Sequence, residues 1–129
     1  MKIAFNNLIS LIATTFIYLM GGFDIALQCL LIIIVLDYIT GVLAAIYNKK
    51  LNSKIGIKGI VKKVGYLCLV ALAVIVDKIT GQTGIIRSIV IYFLVSNDGI
   101  SIIENLVEMN IKVPKKVKDS LEQIRKENK

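Results

Sequence analysis

Apolar residues fill this chain in long blocks separated by short polar breaks. From Ile3 to Phe23 no residue carries a charge, and those 21 positions are long enough to span, because a bilayer core roughly 30 Å thick needs about 20 helical residues. Gly21 and Gly22 then loosen the chain, and Asp24 comes next. The block also fits a signal peptide with Lys2 as its basic start, but it lacks a clear small-x-small cleavage site after it. Ile25 to Tyr47 forms a second block around the run Cys29–Leu36, interrupted by Asp37 and stopped by Lys49 and Lys50. A third, Val64 to Val76, has only 13 uncharged residues. Lys62 and Lys63 can snorkel at one end of it while Asp77 and Lys78 meet the other interface, which brings it to spanning length. Gly81-Gln82-Thr83-Gly84 reads as a tight turn.

The fourth block, Ile85 to about Met109, is amphipathic. At about 100° per residue, Arg87, Asp98 and Asn105 fall on one line, with Asn97, Ser101, Glu104 and Glu108 just beside it. Ile89 and Ile103 fall on the far side of the helix, with Phe93 and Ile100 beside the stripe and Val90 within it. Gly99 weakens the helix locally. After Asn110, Pro114 opens a charged tail in which Val117, Leu121 and Ile124 carry a helical spacing. The pattern predicts an all-α integral membrane protein. Four transmembrane helices at about 3–22, 25–47, 60–79 and 85–109 form one domain over residues 1–110. A basic tail with a short helix occupies 111–129. A three-span form lacking the first helix is the alternative.

Composition sharpens this picture. The chain has 129 residues, 56% of them hydrophobic, with a mean hydropathy of +0.75. Ordinary soluble domains hold roughly 45–50% apolar residues, and so small a soluble domain buries too little surface to hide the excess. Disorder is excluded on the same ground. There is no His and no Trp, and the two cysteines, Cys29 and Cys68, lie far apart in apolar runs. His-based catalysis, His-containing zinc sites and a disulfide scaffold are thereby excluded. Neither a phosphate-binding glycine loop nor a metal-ligand cluster is present, so no catalytic residue, cofactor or metal site is read from the chain.

The 16 Lys and Arg outnumber the 9 Asp and Glu, and they are not spread evenly. Lys49, Lys50, Lys54, Lys58, Lys62 and Lys63 form a basic loop between the second and third blocks, with no acid among them. A second cluster runs from Lys112 through Lys129 in the tail. The positive-inside rule places both in the cytoplasm, and with four spans the N-terminus as well. Topology and anionic headgroups account for these cations better than nucleic acid does.

Asp37 within a span is costly in lipid, so it faces protein or water. It either binds a proton or ion, or it pairs with Lys62 or Lys63. Thr40 and Ala44, like Gly41 and Ala45, are small residues four apart, which lets another helix approach closely. The polar stripe has three solutions: a water-facing wall between several copies, a helix lying flat at the interface, or a closed bundle with Arg87 and the acids paired inside.

Several of these features resemble one family. Asp37-Tyr38-Ile39-Thr40-Gly41, with Val42-Leu43-Ala44-Ala45 after it, resembles the D-Y-x-T-G segment of the phage-lysis and toxin-secretion holins. The basic loop with Leu51-Asn52-Ser53, Gly56, Gly59 and Lys62-Lys63 is similar to that family's next block. Asp77 sits where an acid is expected, and Asn97-Asp98-Gly99-Ile100-Ser101-Ile102-Ile103-Glu104-Asn105 resembles the N-E-x-x-S-I-x-E-N signature. Pro114 matches the proline before the tail. Asp98 stands where Glu is usual, and Asn110 where Gly is usual, although Asn tolerates the left-handed conformation. The resemblance covers about residues 20 to 120. It implies a non-enzymatic protein of the bacterial inner membrane that oligomerises and opens timed lesions, releasing an endolysin or a toxin. It gives Asp37, Gly41, Asp98, Ser101, Glu104 and Asn105 packing or lumen roles. A small ion channel or secondary transporter coupled through Asp37, and an antiholin-like membrane regulator, are the competing functions.

Overall fold

The computed structural model describes residues 1–128, and Lys129, one of the tail's cations, lies outside the described residues. Five helices succeed one another: α1 (Lys2–Leu19), α2 (Ile25–Tyr47), α3 (Ser53–Thr80), α4 (Ile85–Glu108) and α5 (Lys115–Glu127). The first four are long and apolar enough to cross a membrane.

Two of the starts have a clear local cause. The Asp24 carboxylate accepts from Leu27 N at 3.1 Å and caps α2. The Asn52 side chain accepts from Lys54 N at 2.9 Å and caps α3. An unpaired N–H at a helix start is satisfied in this way by a short polar side chain. The Asn52 cap starts α3 at Ser53, earlier than the sequence pattern places it. Lys54, Lys58, Lys62 and Lys63 therefore ride on helix, and only Lys49 and Lys50 of the expected basic loop lie in the connection. Lys54, Lys58 and Lys62 form one exposed row four residues apart, which apolar periodicity alone does not reveal.

α4 is the hub, packing on α2, α3 and α5. Hydrogen bonds from Arg87 to Asp24 and from Asn110 to Tyr47 join the starts and the ends of α2 and α4, so these two helices run parallel. α3 runs antiparallel to both. Leu27 and Leu30 of α2, Val70 of α3, Ile91 and Leu94 of α4, and Met20 after α1 make the central core. α1 itself buries no residue and touches the core only near its end, through Phe16 and the adjoining Met20. The tail is not a free appendage. Asn110 takes the left-handed conformation (φ 63°) that its place after α4 requires, and α5 folds back along α4. Leu121 lies against Gly99, where an added Cβ would come within 2.8 Å of the leucine Cδ2.

Candidate functional site

The polar residues inside the bundle gather in two layers. The first lies at the turns between helices. Arg87 donates from Nη1 and Nη2 to the two Asp24 carboxylate oxygens at 2.8 and 3.0 Å, from Nη2 to the Gly22 carbonyl at 3.1 Å, and from Nε to the Met20 carbonyl. Bidentate geometry of this kind is the strong form of an arginine–carboxylate pair. It holds the Asp24 carboxyl down at about 2, below the usual carboxylate range, with the Leu27 N–H helping. Gly21 and Gly22, at φ 83° and 122°, do not loosen the chain as the sequence suggests. They fold it around Arg87, and a Cβ on Gly21 would meet Arg87 Nε at 2.8 Å and Val74 Cγ2 at 2.9 Å.

Asp77 completes this layer. Its two carboxylate oxygens accept from Ile86 N and Arg87 N, each at 2.9 Å. α4 begins after Gly84, which has no side chain to cap it, so the preceding helix supplies the cap and a negative charge at the helix start. Sequence reading places Asp77 at an interface and misses this role. The usual signal, a Ser, Thr, Asp or Asn directly before the helix, is absent.

The second layer lies deeper. Lys63 of α3 donates from Nζ to Asp37 of α2 and, at 2.7 Å, to Asp98 of α4. The Asp98 side chain is 1% exposed. Asn105 donates from Nδ2 to Asp37 Oδ1 at 3.3 Å and to Thr40 Oγ1 at 2.9 Å. Asn97 donates to the Tyr66 hydroxyl at 3.0 Å, and the Lys63 ammonium sits 4.9 Å from the Tyr66 ring centre. Small residues permit this approach: Ala44 is buried, and Gly41 leaves 3.6 Å between an added Cβ and Asn105 Nδ2. Gly41 and Ala45 border a cleft of about 310 Å³ that Gly56 and Gly59 of α3 close from the other side.

These contacts divide the sequence-predicted stripe along its length. One edge, Arg87 and Asp98 with Asn105 half-buried behind them, turns inward against α2 and α3. The other edge turns out, with Asn97 and Ser101 half-buried and Glu104 and Glu108 exposed. Between the edges lies a polar cavity of about 230 Å³ whose lining includes Asp37, Lys63, Asp98, Ser101, Glu104 and, from α5, Arg125. Of the basic positions, Lys63 alone joins the buried network. Lys49, Lys50, Lys54, Lys58 and Lys62 are exposed. Asp37 thus takes one of the two lysine partners open to it, and Asp98 shares that lysine.

Arg87 and Asp98 are eleven residues apart on α4, so the two layers are separated by about 16 Å of helix. A bilayer core is about 30 Å thick. The two layers are therefore too close together to lie one in each headgroup region.

The chain is similar to known proteins. The model of the bacteriophage holin family matches residues 14–126. An uncharacterized protein of Listeria monocytogenes is 46% identical over 102 residues, which cover 79% of this chain and 73% of that protein. An uncharacterized 14.9 kDa protein of the nagH 3′ region of Clostridium perfringens is 39% identical over 114 residues, covering 88% and 86% of the two chains. The protein named "Probable holin" of Bacillus phage phi105 is 32% identical over 102 residues, covering 79% and 76%. No solved structure matches the chain. The matched stretch takes in α2, α3 and α4 whole, the helices that supply the paired side chains of both layers, and the chain belongs to the bacteriophage holin family.

Proposed function

We propose that this protein accumulates in the bacterial cytoplasmic membrane, assembles with copies of itself, and opens lesions at a set time. Through them a muralytic enzyme, or in another setting a toxin, leaves the cytoplasm. The lysine-rich ends of α2 and α3 and the tail face the cytoplasm, where anionic headgroups attract them. The observation that carries this reading is the divided stripe of α4. Its inner edge is neutralised inside the protomer, while its outer edge, Ser101, Glu104 and Glu108, needs water or a polar neighbour at a level where α2 still presents lipid-facing side chains. The packed protomer is the closed state. Several protomers that turn this edge toward one another enclose water. Of the sites named for this role, Asn97, Ser101, Glu104 and Glu108 border the lumen, while Arg87, Asp98 and Asn105 join Asp37, Thr40, Gly41, Ala44 and Ala45 in packing, and all act by geometry and charge rather than by catalysis.

The test is induction in bacterial cells with and without a cytosolic muralytic enzyme that has no secretion signal. Abrupt loss of membrane potential is expected, with lysis only when the enzyme is present. Ser101→Cys, in a chain lacking its native cysteines, becomes accessible to aqueous thiol reagents at that moment. Continued growth with verified membrane expression overturns the lesion reading in favour of a regulator. One observation favours a second reading. The 230 Å³ polar cavity, where Asp37, Asp98 and Glu104 face Lys62, Lys63 and Arg125, resembles a station on an ion path. A small channel would dissipate the potential and never support enzyme-dependent lysis.

A further inference from the structure

α1 carries a face that nothing in the protomer uses. Asn6, Asn7, Ser10 and Thr14 fall within an arc of about 100° on the helix. All four are exposed, and none makes a side-chain hydrogen bond among the described residues. Thr15, outside this arc, shows the contrast: its hydroxyl donates to the Leu11 carbonyl at 2.8 Å and is satisfied within its own helix. The residues that touch the core, Phe16 and Met20, lie to one side of the arc, so docking of α1 does not cover it. Ser10 and Thr14 stand near the middle of an 18-residue span. Polar side chains at that depth have no water to bond; a hydroxyl can turn to its own helix, as that of Thr15 does, but an amide finds its partner on a neighbouring helix.

The neighbour is narrowed by what surrounds it. The exposed membrane-level surfaces of α2 and α3 are aliphatic, with Ile32, Val35 and Ile39 on one and Leu69, Leu72 and Ile75 on the other. Those side chains offer no donor or acceptor, and the exposed Cys29 and Cys68 add only weakly hydrogen-bonding thiols. Amides and hydroxyls both donate and accept, so the arc of α1 is complementary to itself, and it carries no charge to repel a copy. Two chains inserted with the same orientation and related by an axis along the membrane normal bring the same residues together. Ser10 and Thr14, small and four apart, allow close approach.

We infer that the Asn6–Asn7–Ser10–Thr14 face of α1 is a self-association surface, pairing with α1 of a second copy of this chain. The inference rests on the proposed homo-oligomer and names one of its interfaces. Asn6, Asn7 and Ser10 precede the stretch that the family model matches, residues 14–126.

Disulfide trapping in membranes tests it. In the full chain with Cys29→Ala and Cys68→Ala, single cysteines replace Ser10 or Thr14 on the face and Leu8 or Ile12 away from it. A lone cysteine forms a disulfide only with the same position of a second copy. Oxidation is expected to give about tenfold more dimer at Ser10→Cys and Thr14→Cys than at Leu8→Cys and Ile12→Cys. Adding Asn7→Leu lowers the Thr14→Cys dimer by a similar factor at equal membrane abundance. Equal trapping at all four positions, or the reverse pattern, overturns the inference. If a lysine-reactive cross-linker still yields oligomers in those membranes, the homo-oligomer reading survives. If it yields monomers only, both fail.

Discussion

Lys63 holds two carboxylates that come from different helices, and both of them are buried. The ammonium between the two carboxyl groups is what makes the arrangement tolerable. Lys63→Met is expected to cost about 3 kcal/mol of folded-state stability, the range for removing one partner of a buried pair. Thermal unfolding in nanodiscs measures it. Changing Asp37→Asn and Asp98→Asn together with Lys63→Met is expected to cost less than Lys63→Met alone, because no orphaned charge remains. Asp24 allows a pH test of the other layer. Its folded pKa of about 2 lies below the unfolded value of 3.8. The stability it adds is therefore present above pH 3.8 and lost as pH falls through about 2. Carboxyl NMR of Asp24 is expected to titrate near 2, and to return to the ordinary aspartate range in Arg87→Gln.

Among the elements, α4 and α5 depend on each other closely. α5 covers Gly99 with Leu121, places Arg125 at the polar cavity, and keeps Ile124 half-buried. With Leu121→Asp and Ile124→Asp the tail helix is expected to leave α4. Tryptic cleavage in the tail then rises on the order of tenfold, and leakage after induction begins earlier. Unchanged cleavage in inverted vesicles would show that the seat on Gly99 holds nothing in place. The four spanning blocks and the tail helix are legible in the sequence because apolar length and helical spacing are local properties. The 100° spacing also locates the stripe on α4. It does not show which edge turns inward, since that depends on Lys63 reaching across from α3. The early start of α3 is hidden by its lysines, which read as loop although Asn52 caps a helix beneath them. Asp77 reads only as an acid at a helix end, because the N–H groups it caps lie nine and ten residues further along the chain.

At the scale of the whole molecule the two sides differ in kind. The outward surface of α2 stays apolar from Ile25 to Tyr47, about 33 Å of helix, with Ile25, Ile39 and Tyr47 all exposed. On the α4 side the apolar stretch ends near Asn97, and the charged helix α5 lies over the remainder. A protomer alone meets lipid comfortably on one side only. On the proposed function it would act as a surfactant does at a liquid surface, but in two dimensions, where the boundary it favours would be the rim of a hole. Each copy at such a rim would lower the line tension there. Hole circumference would then scale with the number of copies available. In vesicles of constant composition, the largest dextran released is expected to grow with the protein-to-lipid ratio, and a single sharp size cut-off at every ratio would show that the copies close into a ring of set size instead.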